Sequence, residues 1–228
     1  MKITKVLDTD IVDVFKLGKE LLNFYNLMTA RNDDFVDRIS NYVISTIVEE
    51  ATSGYFIETD DGKRIGVIIY SVPGDRKLFS IDQINIEYQA VFFKRYVETS
   101  NLTNNEKMIV IKEMDIVNGF NFLAEKYEIL TQNRAEIKLL YIEPEYRGRY
   151  LSKPLFSFFL EDIRGKGFTN FFLFTTTEYN FHFYDKIKMR NLETIIYTKV
   201  NCPEFLKYKI TLPLKCMIYF GSIKEINL

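Results

Sequence analysis

The chain has 228 residues, 47% of them hydrophobic and 27% charged, a composition that fits a soluble globular protein with a sizeable core. Thirty basic against thirty-one acidic side chains leave a formal net charge of −1, so no overall field attracts nucleic acid or an anionic membrane, and neither partner is expected. Two cysteines, Cys202 and Cys216, and one histidine, His182, argue against a disulfide framework and a structural zinc site; no metal is expected.

In chain order, the N-terminal MKITKVLDTD lacks the apolar core of a signal peptide, and no run approaches the roughly 18 apolar residues of a membrane span, so the expected compartment is the cytoplasm. Residues 2–7 alternate as a short strand. Asp8, Thr9 and Asp10 offer caps to a helix with apolar positions Ile11, Val14, Phe15, Leu21, Leu22, Tyr25 and Met28. Residues 32–34 open a second helix through Phe35, Ile39, Tyr42, Val43, Ile47 and Val48, which Gly54 is expected to end. Residues 55–59 and 64–71 read as a hairpin around Asp60-Asp61-Gly62.

From 75 to 133 the periodicity is helical, around 84–97 and again through Met108, Val117, Phe120, Leu123 and Tyr127. With no low-complexity linker and no internal repeat, this stretch reads as a helical insertion within a single domain spanning 1–228. Residues 137–142 form an apolar strand. A helix from about Ser152 meets terminators at Gly165 and Gly167, and 171–177 is a buried strand expected to lie parallel to 137–142. A short helix over 181–187 precedes two antiparallel strands, 191–200 and 206–220, with Pro213 at a bulge or edge and Cys216 buried. The fold class is α/β in the broad sense (α+β): a mixed, mostly antiparallel sheet flanked by helices.

The most informative stretch is 141–158, YIEPEYRGRYLSKPLFSF. A strand meets Pro144, then the basic turn Arg147-Gly148-Arg149, then an apolar-periodic helix in which Ser152 is a good N-cap and Pro154 falls in the first turn. Unpaired N–H groups at a helix start, the positive end of its dipole and two arginines suit a diphosphate-bearing ligand. This segment resembles the acetyl-CoA-binding segment of the GNAT superfamily of N-acetyltransferases, in which a Gln or Arg is followed by two residues, Gly, one residue, then Gly or Ala. Arg147 takes the first place, while Tyr150 and Ser152 stand at the two small positions. The resemblance is firmer over 134–190 than over 1–73, and implies a splayed parallel strand pair in the sheet.

For chemistry, the resemblance implies direct acetyl transfer from acetyl-CoA, as cosubstrate, to a primary amine on an acceptor that stays open: a small molecule or a protein. Cofactor contacts then fall on Arg147, Gly148, Arg149, Tyr150, Leu151 and Ser152, and the main chain of Tyr141 and Ile142 would polarise the acetyl carbonyl. Tyr184, in Tyr184-Asp185-Lys186-Ile187-Lys188-Met189, takes the place of the family's proton donor to the leaving thiolate; Lys188 and Met189 replace its glycine and phenylalanine. A phenol, with a pKa of about 10, is protonated at neutral pH and able to donate. Thr177 stands where the family often has asparagine, with Asn180 off register. Glu136, in AEIKLLYI, resembles the general base on the fourth strand of the histone acetyltransferases. The 75–133 insertion either covers a sheet face or forms a dimer contact, or shapes the acceptor pocket; family habit implies a homodimer. A noncatalytic CoA-binding or protein-interaction module on the same fold is the alternative, motivated by Tyr150, Ser152 and Lys188.

Overall fold

Strand formers set at period two, broken by turns, pair into one sheet of seven strands among the described residues, which are 1–22, 33–177, 179–197, 214–226 and 228 of this computed structural model. The elements are β1 (Lys2–Lys5), α1 (Ile11–Leu22), α2 (Asp33–Val48), β2 (Ser53–Glu58), β3 (Arg64–Ser71), α3 (Ile81–Ile84), α4 (Ile86–Thr99), α5 (Asn104–Lys126), α6 (Glu128–Thr131), β4 (Ala135–Ile142), α7 (Ser152–Gly165), β5 (Asn170–Thr176), α8 (His182–Lys186), β6 (Arg190–Tyr197) and β7 (Leu214–Ser222). The strand order is β1-β2-β3-β4-β5-β7-β6, antiparallel throughout except for the β4–β5 pair. No helix among the described residues is long and apolar enough to cross a membrane.

Two helical layers cover the sheet. On one face α7 packs Leu155, Phe156, Phe159 and Ile163 onto Tyr70, Phe171 and Leu173. Phe156, Phe159 and Phe171 meet edge to face at centroid distances of 5.1–5.7 Å, the geometry that ring quadrupoles favour. Tyr70 is fully buried and donates to Asp162 Oδ2 at 2.7 Å, tying β3 to α7, and burial followed by the aspartate pushes its phenol far above the usual range. On the opposite face α1 and α2 bury Val14, Leu17, Ile39 and Ile44 against Val67, Ile69, Leu139 and Tyr141. Beside them α5 lays Ile116 and Leu123 over Phe172, Cys216 and Ile218. β5 is covered on both sides, which explains its nearly continuous apolar run.

The structure departs from the sequence reading at several places. Gly54 does not end α2, which stops at Val48; it lies inside β2, where a Cβ would come within 2.7 Å of the Ile68 carbonyl oxygen. The helical stretch expected over 84–97 is split in two by Asn85, which adopts a left-handed conformation with φ 49°. α5 starts four residues before the expected Met108, because Thr103 and Glu106 form a capping box: Glu106 N–H donates to the Thr103 hydroxyl while its carboxylate accepts from Thr103 N–H at 2.7 Å. The readings placed on Tyr25, Met28, Asn32, Cys202, Pro213 and the first part of 206–220 lie outside the described residues.

Candidate active site

The site begins with a break in pairing. β4 and β5 are matched only at Ala135↔Phe171, Glu136↔Phe172 and Ile137↔Leu173; beyond that the strands diverge. On its other edge β4 carries a bulge: Ile69 pairs with Leu139 and Tyr70 with Ile137, so Lys138 is the extra residue. An extra residue inverts the facing of every side chain beyond it along the strand. Ala135 and Ile137 therefore pack toward α7, whereas Leu139 and Tyr141 pack toward α1 and α2. A cavity of about 670 Å³ passes through the divergence and is lined from both faces of the sheet, a size typical of ligand sites.

On the α7 side, β4 runs into a 3-10 turn at Pro144–Tyr146, and the chain then turns through Gly148 (φ 77°) and Tyr150 (φ 59°) before α7. Tyr150 thus holds, without being a glycine, the left-handed backbone at the family's first small position. Its ring avoids crowding the turn by lying 75% exposed, with Lys153 Nζ 5.5 Å from its centroid. Ser152 is the first residue of α7, not its cap: the N-cap is Leu151, with no side-chain hydrogen bond. Arg147 Nε donates to the Ile142 carbonyl at 2.9 Å, and its guanidinium lies 5.6 Å from the Tyr141 ring centroid. Arg149 is exposed beside Tyr146 and does not line the cavity. Among the described lining residues, this side carries the cations Arg147, Lys153 and Lys186 and no carboxylate.

Main-chain direction separates Tyr141 from Ile142. Glu143 N–H donates to the Ile65 carbonyl across to β3, so the period-two alternation of a strand directs the N–H of Tyr141 to β3 and that of Ile142 toward the divergence. The Ile142 carbonyl, which meets Arg147, points the same way.

Tyr184 lies on α8 and lines the cavity, half-buried, with the Tyr219 ring 5.6 Å away. α8 is anchored from beneath by Tyr219, whose hydroxyl donates to Asp185 Oδ1 at 2.7 Å; burial and then this bond raise the Tyr219 pKa. The helix ends in a Schellman motif: Met189 N–H reaches the Tyr184 carbonyl at 3.0 Å and Lys188 N–H the Asp185 carbonyl at 3.0 Å. The residue past the cap must be left-handed, and Lys188, at the family's glycine position, has φ 65°. Thr177 is not among the described residues that line the cavity; its hydroxyl accepts from Lys215 N–H at 3.1 Å and ties β5 to β7. Asn180 lines the cavity instead. His182 is exposed beside Phe181 and lies off the cavity wall.

The other side is built from α1, α2 and α5. Glu136 does not line the cavity: its carboxylate is 2.7 Å from Lys138 Nζ, and Lys138 is the residue on the wall. Among the described lining residues the carboxylate is Glu113, not a candidate in the sequence reading although Glu113, Ile116, Val117 and Phe120 recur at i, i+3, i+4 and i+7 on one face of α5. That periodicity marks a helix face and cannot by itself say whether the face meets a sheet or a cavity.

A family model described as acetyltransferase (GNAT) family matches residues 19–188. No curated protein matches the chain. Among solved structures, mosquito arylalkylamine N-acetyltransferase like 5b is 16% identical, with 96% of this chain and 100% of that chain covered and a TM-score of 0.51. The protein smu.2055 from Streptococcus mutans UA159 is 13% identical, covering 98% and 99% of the two chains with a TM-score of 0.49. An acetyltransferase of the GNAT family from Staphylococcus aureus Mu50 is 10% identical, covering 97% and 98% with a TM-score of 0.48. The diverging parallel pair, the turn into α7 and the family match over three quarters of the length agree: the chain belongs to the GNAT family of N-acetyltransferases, enzymes that use acetyl-CoA.

Proposed function

We propose that the chain transfers an acetyl group directly from acetyl-CoA to a primary amine, with the cosubstrate on the α7 side of the cavity and the amine on the α5 side. The observation that carries this reading is the cavity passing through the sheet between β4 and β5, cationic on one side and mostly apolar on the other. When bound, acetyl-CoA supplies the acetyl thioester. Main-chain N–H groups of Gly148, Tyr150, Leu151 and Ser152 at the start of α7, with the Arg147 guanidinium, hold its diphosphate; Arg149 adds charge from the rim. The Ile142 N–H donates to the acetyl carbonyl, while Tyr141 contributes its ring, which backs Arg147. Thr177 supports the site indirectly, by fixing the end of β5.

In the transfer, the amine lone pair forms the N–C bond as the C–S bond breaks, and the electron pair of that bond leaves on sulfur. The Tyr184 hydroxyl gives the sulfur its proton, and the second proton that the nitrogen sheds on becoming an amide restores the phenol. The amine arrives as an ammonium and must first lose a proton; Glu136, engaged by Lys138, receives it through intervening water. The balance is ammonium plus thioester to amide, thiol and one proton.

Tyr184→Phe tests the assignment. It keeps the ring and removes the donor, so turnover should fall about 10²- to 10⁴-fold while acetyl-CoA affinity by calorimetry stays within about twofold. Unchanged turnover would remove Tyr184 from the mechanism. Acetyl-CoA binding without turnover of any amine in the wild-type chain would mark a noncatalytic module.

A further inference from the structure

Resting on the transferase reading above, we propose that Thr175 of β5 is a second hydrogen-bond donor to the acetyl carbonyl, joining the Ile142 N–H from the other side of the gap between β4 and β5. Thr175 lines the cavity and is 3% exposed. Among the described residues no protein group bonds its hydroxyl, whereas the Thr177 hydroxyl, two residues on, is taken by Lys215 N–H. Burying a hydroxyl without a partner is costly and buried polar groups are nearly always paired, so an unpaired one on a cavity wall marks a ligand contact.

Topology fixes the side on which it stands. Along β5, Phe172 and Phe174 pack with α5 while Phe171 and Leu173 pack with α7, so Thr175 continues the α7 row. Its register partner on β7, Met217, also packs toward α7. Thr175 therefore belongs to the cosubstrate side. Leu173 is the last residue of β5 matched to β4, through Ile137, and Thr175, two residues on, stands at the inner end of the gap. Tyr184 is close by: its ring lies 5.6 Å from that of Tyr219, the register partner of Leu173. Two residues of a strand span about 7 Å, so Tyr184 and Thr175 border the same end of the cavity.

The chemistry assigns the partner. In a thioester the sulfur and the carbonyl oxygen are bonded to one carbon, so a donor to the sulfur and a donor to the oxygen must be neighbours. The thioester offers acceptors alone, which a hydroxyl meets as donor. The oxygen gains negative charge as the N–C bond forms and returns it as the C–S bond breaks. The Thr175 O–H bond stays intact throughout, and its hydrogen bond is strongest while the charge is on oxygen.

The test compares the full chain with Thr175→Val, which exchanges the hydroxyl for a methyl at nearly constant shape, and Thr175→Ser, which keeps the donor. In Thr175→Val, kcat should fall about 10- to 10³-fold with the KM for the amine unchanged. Two readouts need no turnover. By calorimetry, affinity for acetyl-CoA should weaken about 3- to 10-fold, while that for CoA, which lacks the acetyl carbonyl, stays within about twofold. The denaturant midpoint of the ligand-free chain should not fall, since no bond within the protein is lost. Thr175→Ser should recover most of the turnover. Equal weakening for acetyl-CoA and CoA would move the contact off the acetyl group; unchanged kcat and acetyl-CoA affinity would remove Thr175 from the site; a lowered midpoint would show that the hydroxyl serves the fold. Each of these overturns this inference and leaves the transferase reading standing. Absence of acetyl-CoA binding by the wild-type chain overturns both.

Discussion

The two sides of the cavity are made in opposite ways. The α7 side comes from two short stretches of chain, 142–153 and 179–187, and works through backbone direction, a helix start and, among the described residues, three cations. The α5 side draws single stripes from α1, α2 and α5, which are far apart in sequence, and works through side-chain identity. A ligand part common to a whole family can be met by a shared backbone shape, whereas the variable partner needs residues that change without altering the sheet. Activity is therefore easier to read from a sequence than specificity.

The largest effect that sharpens this contrast, after loss of the Tyr184 hydroxyl, is expected from Arg147→Ala. Removing a charged donor from the cosubstrate side should weaken acetyl-CoA binding about 10- to 100-fold by calorimetry, with the KM for the amine unchanged. An equal rise in both would mean the sides are not separate. Smaller and opposite in sign are Lys188→Gly and Tyr150→Gly. Each residue sits in the left-handed region, where an L side chain costs about 1–2 kcal/mol, so each glycine should stabilise the fold by up to about 1 kcal/mol in chemical denaturation, after the greater freedom of glycine in the unfolded chain is subtracted. Acetyl-CoA affinity should survive Tyr150→Gly, since the turn's shape rather than the exposed ring is the common element.

A remote carboxylate provides the control. Burial raises the pKa of Glu58, but bonds from Thr4 Oγ1 at 2.8 Å and Lys2 Nζ at 3.2 Å, with Arg64 nearby, outweigh it and hold the carboxyl below the usual range. A depressed folded-state pKa contributes stability above the unfolded value of about 4.3, lost as pH falls through the folded value. Glu58→Gln should therefore cost about 1 kcal/mol at neutral pH, and its stability curve should converge on that of the wild type under acid. Both KM values should be unaffected.

Legibility divides along the same line. The strand, turn and helix of 137–165 are readable because Pro144, Gly148 and the apolar period of α7 each force local structure. The parallel neighbour is readable because β5 is apolar on both faces. The bulge at Lys138 is not: nothing in AEIKLLYI marks it, burial along β4 alternates without a break from Ala135 to Ile142, and only the pairing with β3 shows that Leu139 faces α1 and α2 while Ile137 faces α7. That shift places Lys138 on the wall and Glu136 behind it, and main-chain alternation gives the carbonyl-facing N–H to Ile142 and not to Tyr141. Tyr150 and Lys188 teach a related lesson. Judged as residue types they break the family pattern, yet both keep the glycine conformation, because what the turn and the Schellman cap require is a backbone angle.

The most direct test of the two-sided cavity is one calorimetric series with acetyl-CoA on the wild-type chain, Arg147→Ala and Val117→Lys. Binding weakened at least about 10-fold in Arg147→Ala and unchanged in Val117→Lys is the predicted result. Binding that ignores Arg147 but is lost in Val117→Lys would place the cosubstrate on the α5 side and contradict the account.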